Sequence, residues 1–556
     1  MEPSSPTADR ADRAADRPAP RVAVHADPDG PLHIQRLDDT DAPLHPPGPV
    51  TPAEVAALDE GAPRWVWRTA RTYRALLAAG VRVARAHDVE LVERLLVAAA
   101  GRFGAPHGLA AASARLAGLP EEPDPAPEAD DEPPGLFRSA APTGPETLAA
   151  LVAVHAAQRR TLAADARLAL LAAAESAGGI VAEEMRAEGL PWDAAVHDAL
   201  LTAALGPRPA GSARPRRLAA LADDIATAFG RPVNPDSPAE VLRAFGRVGV
   251  ELPSTRSWVL KQVDHPAVAP LLAYKELARL HSAHGWAWLR TWVHDGRFRP
   301  EYVVGGVVSG RWATRGGGAL QIPKAVRAAV RADPGNRLVV ADAAQLEPRI
   351  LAAMAGDAAL ARAGGRDQDS DLYAGLAHEL FGGAGPDGRA KAKLAVLSAI
   401  YGQTSGDAGA HLALLRRRFP AAVEVVEAAA RAGEEGRIVR SWLGRTCPPA
   451  APGDEQPARA RARGRFTRNF VVQATAAEWA LVLLAELRAA LHAAGDPARL
   501  VFFQHDEVLL HGPADGAGLA ARLVQDAADT ATRRLFGDTP VRIPVPGRVV
   551  GSYAEK

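Results

Sequence analysis

Two short apolar runs with acids at their ends constrain this chain more than any other feature. RLVVAD (337–342) predicts a buried strand that ends on Asp342 and passes Gln345, Glu347 and Pro348 into a helix with Pro in its first turn. LVFFQHDEVLLHG (500–512) predicts two strands around a turn at His505, Asp506 and Glu507. Long helical patterns lie between them, so the expected fold is α+β, with acid-tipped strands flanking an α-rich insertion. Taken alone, each acid is better explained as a helix cap or a solvated turn. Adjacent acids at a hairpin tip repel, however, unless a cation lies between them. A divalent metal would serve, because it takes hard oxygen ligands from different segments and completes its shell with water and phosphate.

Composition narrows the rest. With 556 residues, 47% hydrophobic, the chain is expected to form several domains. No uninterrupted apolar stretch suggests a membrane span, and the N-terminus lacks the apolar core of a signal peptide, which predicts a cytoplasmic protein without membrane attachment. One cysteine, Cys447, excludes an internal disulfide and a thiolate metal cluster. The 65 basic and 65 acidic residues cancel, so a nucleic-acid partner has to be argued from local clusters. Only six lysines occur (Lys261, Lys275, Lys324, Lys391, Lys393 and Lys556), which gives weight to a lysine beside other polar signals.

Residues 1–20 carry an ADR-type repeat and predict a disordered tail. EEPDPAPEADDEPPG (121–135) predicts a linker or a long surface loop. Between them RVAVHA predicts a strand, and residues 71–100 a helix, a strand and a helix. Residues 145–295 are mostly helical in spacing.

In GRAKAKLAVLSAIYG, Arg389, Lys393, Leu397 and Tyr401 recur every four residues and share one helix face. About 18 Å of helix separates its ends. Cations at the N-terminal end can hold a polyphosphate while the Tyr401 ring meets a base. In RARARGRFTRNFVVQATAAEWA, five arginines (Arg459, Arg461, Arg463, Arg465 and Arg468) precede Asn469 and Gln473. Cations there can neutralise phosphates while amides reach base edges. Arg311 and Arg315 adjoin Gly316–Gly318, whose backbone could approach a strand closely. In an arginine-rich chain each cluster is also explained as a solvated face.

Together these segments resemble the family A DNA polymerases, over roughly residues 170–556. VADAAQLEPRI resembles motif A, the Arg389–Lys393–Tyr401–Gly402 series motif B, and QHDEV motif C. SGR (309–311), LQIP with Gln321, and Arg465, Asn469 and Gln473 resemble template and primer contacts. The resemblance implies a right-hand fold: a palm with an antiparallel sheet, helical fingers and thumb, and an N-terminal α/β ribonuclease-H-like exonuclease-type domain. It places a tail at 1–20, the exonuclease-like domain at 21–160, the thumb at 161–295, palm at 296–370 and 469–556, and fingers at 371–468. It implies a monomer, associated with the nucleoid, that extends primer–template DNA with deoxynucleoside triphosphates. Asp342 and Asp506 would hold two Mg2+ ions, with Glu507 in support. Arg389 and Lys393 would take the triphosphate, Lys393 also protonating the pyrophosphate. Gln345, Leu397 and Tyr401 would complete the nucleotide site, Glu347 would exclude a ribose, and His505 with Arg311 would hold the primer end.

Departures from the family pattern carry expectations of their own. Leu397 stands where an aromatic ring is usual, which predicts weaker nucleotide contact or altered sugar discrimination. Thr72 or Tyr73 stands where an exonuclease aspartate is expected. Asp27 and Asp29 are better explained by a turn, and Asp88 has no convincing partner. An inactive exonuclease-like remnant follows, and no 5′ nuclease domain is expected. The alternatives are a catalytically silent DNA-binding scaffold and a single-subunit RNA polymerase-like enzyme.

Overall fold

The structure is a computed structural model that describes residues 20–26, 31–125, 144–211, 213–318, 320, 322–365, 371–382, 386–402 and 408–556. The tail, Asp27, Asp29, most of the acidic linker and Gln321 lie outside the described residues.

The run RLVVAD forms the strand Asn336–Asp342, which pairs antiparallel with Glu507–Pro513 on one side and Gly547–Val550 on the other. Arg499–Gln504 completes the four-stranded antiparallel sheet beyond Glu507–Pro513. Both faces of this sheet are covered. Val339 and Ala341 enter one apolar cluster with Phe503, Trp479 and Trp312, whereas Leu338 and Val340 enter another with Phe502, Leu509 and Tyr553. Burial on both faces is why the run is continuously apolar instead of alternating. A register shift between Leu500 and Phe502 puts the adjacent residues Val501 and Phe502 in the same cluster, after which Phe503 alternates back to the other.

The 37-residue helix Pro457–Ala493, about 55 Å long, is buried all round from Ala474 to Leu484 because helices Ala166–Glu188, Pro420–Glu434 and Ala517–Phe536 pack about it. It contains a window long and apolar enough to cross a membrane by length and composition, contrary to the expectation that no such stretch occurs; 83% of that window is buried, as in a core helix. Helix Ala166–Glu188, placed with the thumb by sequence, inserts Leu168, Leu171 and Met185 into the core below the sheet. Gly178 permits this: a Cβ there would lie 2.9 Å from Leu481 Cδ2. A further apolar cluster, mostly helical, gathers around Leu376, Ile400, Val426 and Cys447.

The N-terminal unit is a five-stranded mixed sheet. Its central strand Arg21–Ala26 pairs antiparallel with Leu32–Leu37 and parallel with Arg64–Trp67, which in turn is parallel to Arg85–Asp88. Helices Arg71–Ala78, Val89–Ala99 and Gly144–Leu162 pack on it. This is the α/β unit expected from sequence.

Candidate active site

Asp342 ends its strand directly opposite Glu507, the first residue of the neighbouring strand, so the predicted turn shortens to His505 and Asp506. The Ala343 N–H donates to the Asp506 carbonyl at 2.9 Å, tying the two acidic segments together at one end of the sheet. The half-buried Asp506 carboxyl is pushed up to about 6 by desolvation, with the charge of Asp342 adding to it. Two carboxylates brought together in this way form a hard-oxygen donor set suited to a divalent cation. Among the described residues no group of three or more His, Cys, Asp or Glu forms a metal cage, so water and phosphate would have to complete any shell.

Backbone strain concentrates here. Gln345 (φ 48°) and His505 (φ 59°) are non-glycine residues in the left-handed region, a conformation costing roughly 1–2 kcal/mol each. Gln345 starts helix Leu346–Ala355, and its Oε1 accepts from the Leu372 N–H at 3.4 Å. His505 precedes Asp506; burial and then Arg311 hold its ring pKa down, and its Nδ1 has no hydrogen-bond partner among the described residues.

A second network closes the site toward the helical unit. Glu347 accepts from Arg311 at 2.6 Å and from the Tyr401 hydroxyl at 3.1 Å, and Gln473 Nε2 donates to that hydroxyl at 3.4 Å. Desolvation and Glu347 raise the Tyr401 pKa. Arg311 and Tyr401 thus hold one carboxylate from two sides, with Gln473 behind the tyrosine.

Helix Pro386–Tyr401 presents Arg389 and Lys393 to solvent, Leu397 half-buried and Tyr401 half-exposed along one stripe. Arg389 pairs with Asp371 at 2.5 Å, whereas Lys393 has no ion-pair partner among the described residues. Beyond Gln473, Arg465 is exposed and Asn469 half-buried. Arg463 and Arg468 turn inward instead of forming part of a cationic surface. Arg463 donates to the carbonyls of Pro448 and Pro449, and Arg468 to that of Ala399. The glycine run also has a local cause: a Cβ on Gly316 would lie 2.2 Å from the Trp292 ring, and Trp288 Nε1 donates to the Gly317 carbonyl at 2.7 Å. Arg315 pairs with Glu301 at 2.8 Å.

Three participants escaped sequence reasoning. Lys556 Nζ lies 2.8 Å from Asp342 Oδ2 and 2.9 Å from Glu507 Oε1. The Tyr553 hydroxyl donates to Glu507 Oε2 at 3.1 Å. Asp371 caps helix Leu372–Phe381 while holding Arg389. The scarcity of lysine was the one signal pointing to Lys556.

In the N-terminal unit, Tyr73 is fully buried and donates to Glu184 at 2.8 Å, and Thr72 is half-buried. Asp88, raised to about 7 by burial, caps helix Val89–Ala99 and accepts from the Leu91 and Ala70 N–H groups at 3.0 and 2.7 Å.

Comparison with known proteins defines the class. The family model "DNA polymerase family A" matches residues 211–549, and the chain belongs to that family. It is 28% identical over 370 residues to DNA polymerase I of Chloroflexus aurantiacus, covering 59% of this chain and 39% of that protein. With the thermostable DNA polymerase I of Thermus aquaticus it shares 27% over 319 residues, 52% of this chain and 37% of that one. The chain therefore spans well under half the length of these relatives. The POL domain of Pol1 from M. smegmatis, solved with DNA primer-template and dNTP, has the same fold: TM-score 0.74 at 20% identity, over all of this chain and 99% of that one.

Proposed function

We propose that this chain is a template-directed DNA polymerase that adds deoxynucleotides to a primer 3′-hydroxyl. The observation that carries the proposal is the meeting of Asp342 and Asp506 at one sheet end, beside the Arg311–Glu347–Tyr401 network. Magnesium held by Asp342 and Asp506 would supply activation of the 3′-hydroxyl and charge neutralisation at the leaving pyrophosphate. The side chains do the positioning. Arg389 and Lys393 bind the triphosphate, which draws Arg389 from Asp371. Lys393 delivers a proton to the departing pyrophosphate. Glu347, held from two sides, occupies the space a 2′-hydroxyl would need. Tyr401, Leu397 and Gln345 shape the nucleotide site, while Arg311, His505, Gln321, Arg465, Asn469 and Gln473 contact primer and template.

We assign the fingers to residues 371–468 and the palm to 296–370 and 469–556, although helix Pro457–Ala493 runs unbroken across the boundary at 468. The thumb is assigned to 161–295. Residues 21–160 serve as an exonuclease-like unit without proofreading, a reading supported by Tyr73 and Asp88 being engaged in internal contacts. The protein acts as a monomer in the cytoplasm, on nucleoid DNA.

Primer extension by wild type, Asp342→Ala and Asp506→Ala, with and without magnesium, tests this. Magnesium-dependent extension by wild type alone is expected. Primer–template binding without extension would favour a silent scaffold, a second reading supported by the Lys556 ammonium between Asp342 and Glu507. Preference for ribonucleotides would favour an RNA polymerase-like enzyme.

A further inference from the structure

The carboxylates at the sheet end already face a cation that belongs to the chain. Strand Gly547–Val550 pairs with Asn336–Asp342, the Tyr553 N–H donates to the Val330 carbonyl at 3.0 Å, and Ser552 bridges to Arg331. The Tyr553 ring is fully buried beside Phe502, with the Arg327 guanidinium 4.4 Å from its centre. One helical turn, Tyr553–Glu555, then delivers Lys556. Its position is therefore set by a strand paired with the one that carries Asp342, and its ammonium spans Asp342 Oδ2 and Glu507 Oε1 at 2.8 and 2.9 Å.

An ammonium this close to two carboxylates offsets the repulsion between them. It also stands where a second cation on Asp342 would meet positive charge a few ångströms away. We infer that Lys556 is a resident counter-ion that competes with the divalent cation for Asp342. It keeps the acidic end charge-balanced and swings away when the cation binds. Its flexible four-carbon stem permits that movement, and its side chain is partly open to solvent. The inference rests on the proposal that Asp342 and Asp506 hold a divalent cation.

Mn2+ binding to the full chain, without DNA or nucleotide, tests it by electron paramagnetic resonance of the free ion. Lys556→Met is expected to bind Mn2+ about three- to tenfold more tightly than wild type, the range of a partly exposed ion pair. Lys556→Arg retains the charge and should stay near wild type, and Asp342→Asn should lose the tight site. In a thermal melt, Mn2+ should raise the midpoint of Lys556→Met more than that of wild type. Lys556→Gln repeats both measurements should Lys556→Met fold poorly. Unchanged or weaker Mn2+ affinity in the uncharged variants, with Asp342→Asn still abolishing binding, would overturn the competition alone. Tight Mn2+ binding that persists in Asp342→Asn would overturn the metal assignment, and the competition with it.

Discussion

The Tyr401 hydroxyl donates to the Glu347 carboxylate at 3.1 Å, joining the last residue of one helix to the first turn of another. Arg311 holds the other oxygen of that carboxylate at 2.6 Å, so Glu347 has little freedom to yield to a ribose. Glu347→Ala should therefore lower the ratio of kcat/KM for deoxynucleotides over ribonucleotides by at least about tenfold. Single-nucleotide incorporation with both sugars measures it, and an unchanged ratio would remove Glu347 from sugar selection.

Leu397 lies half-buried between Lys393 and Tyr401 on the same stripe. An aromatic ring there would add rigid contact area against the incoming sugar. Leu397→Phe should lower KM for the nucleotide or change sugar preference in steady-state incorporation. If neither moves, Leu397 does not face the nucleotide.

Arg488 fastens the N-terminal unit to the rest of the chain. It donates to Glu184 at 2.7 and 2.8 Å and to the carbonyls of Val83 and Ala84 at 2.6 and 2.9 Å. Arg488→Ala leaves a half-buried carboxylate short of its main partner and should destabilise the protein by about 2 kcal/mol in urea denaturation. A loss below about 0.5 kcal/mol would mean that the clamp is solvated and dispensable.

Glu478, enclosed in helix Pro457–Ala493, is raised by burial from 4.5 to about 7, while the Leu443 N–H donates to it at 3.0 Å. A raised carboxyl makes the folded state bind the extra proton, so stability is fully present below pH 4.5 and is lost as pH rises through about 7. Urea midpoints at about pH 5, near the lower end of that window, and at about pH 8, above it, should differ less in Glu478→Gln than in wild type. Equal slopes in the two proteins would show that Glu478 does not titrate in this window.

Sequence reasoning reached the acid-tipped strands, the four-residue stripe ending at Tyr401 and the mixed sheet of the N-terminal unit. Each depends on local periodicity or on a strand end, which neighbouring residues express directly. It did not reach Lys556, whose place depends on strand Gly547–Val550 pairing with a strand far away in the chain. Nor did it separate Arg463 and Arg468 from Arg465. In a helix packed on several sides, the polar residues of one face bond to neighbouring backbone while those of another meet solvent, and spacing alone is the same for both. Nor did it find the local cause of the glycine run, because the Trp292 ring that needs the space precedes it by a whole hairpin.

The central claim is that Asp342 and Asp506 act as one unit. Single-turnover primer extension by Asp342→Asn, Asp506→Asn and the double variant, at matched primer–template occupancy, measures their coupling. Each single change should remove nearly all extension, and the double variant should be no slower than the worse single one. Independent, multiplicative losses, or substantial extension by either single variant, would contradict a shared site.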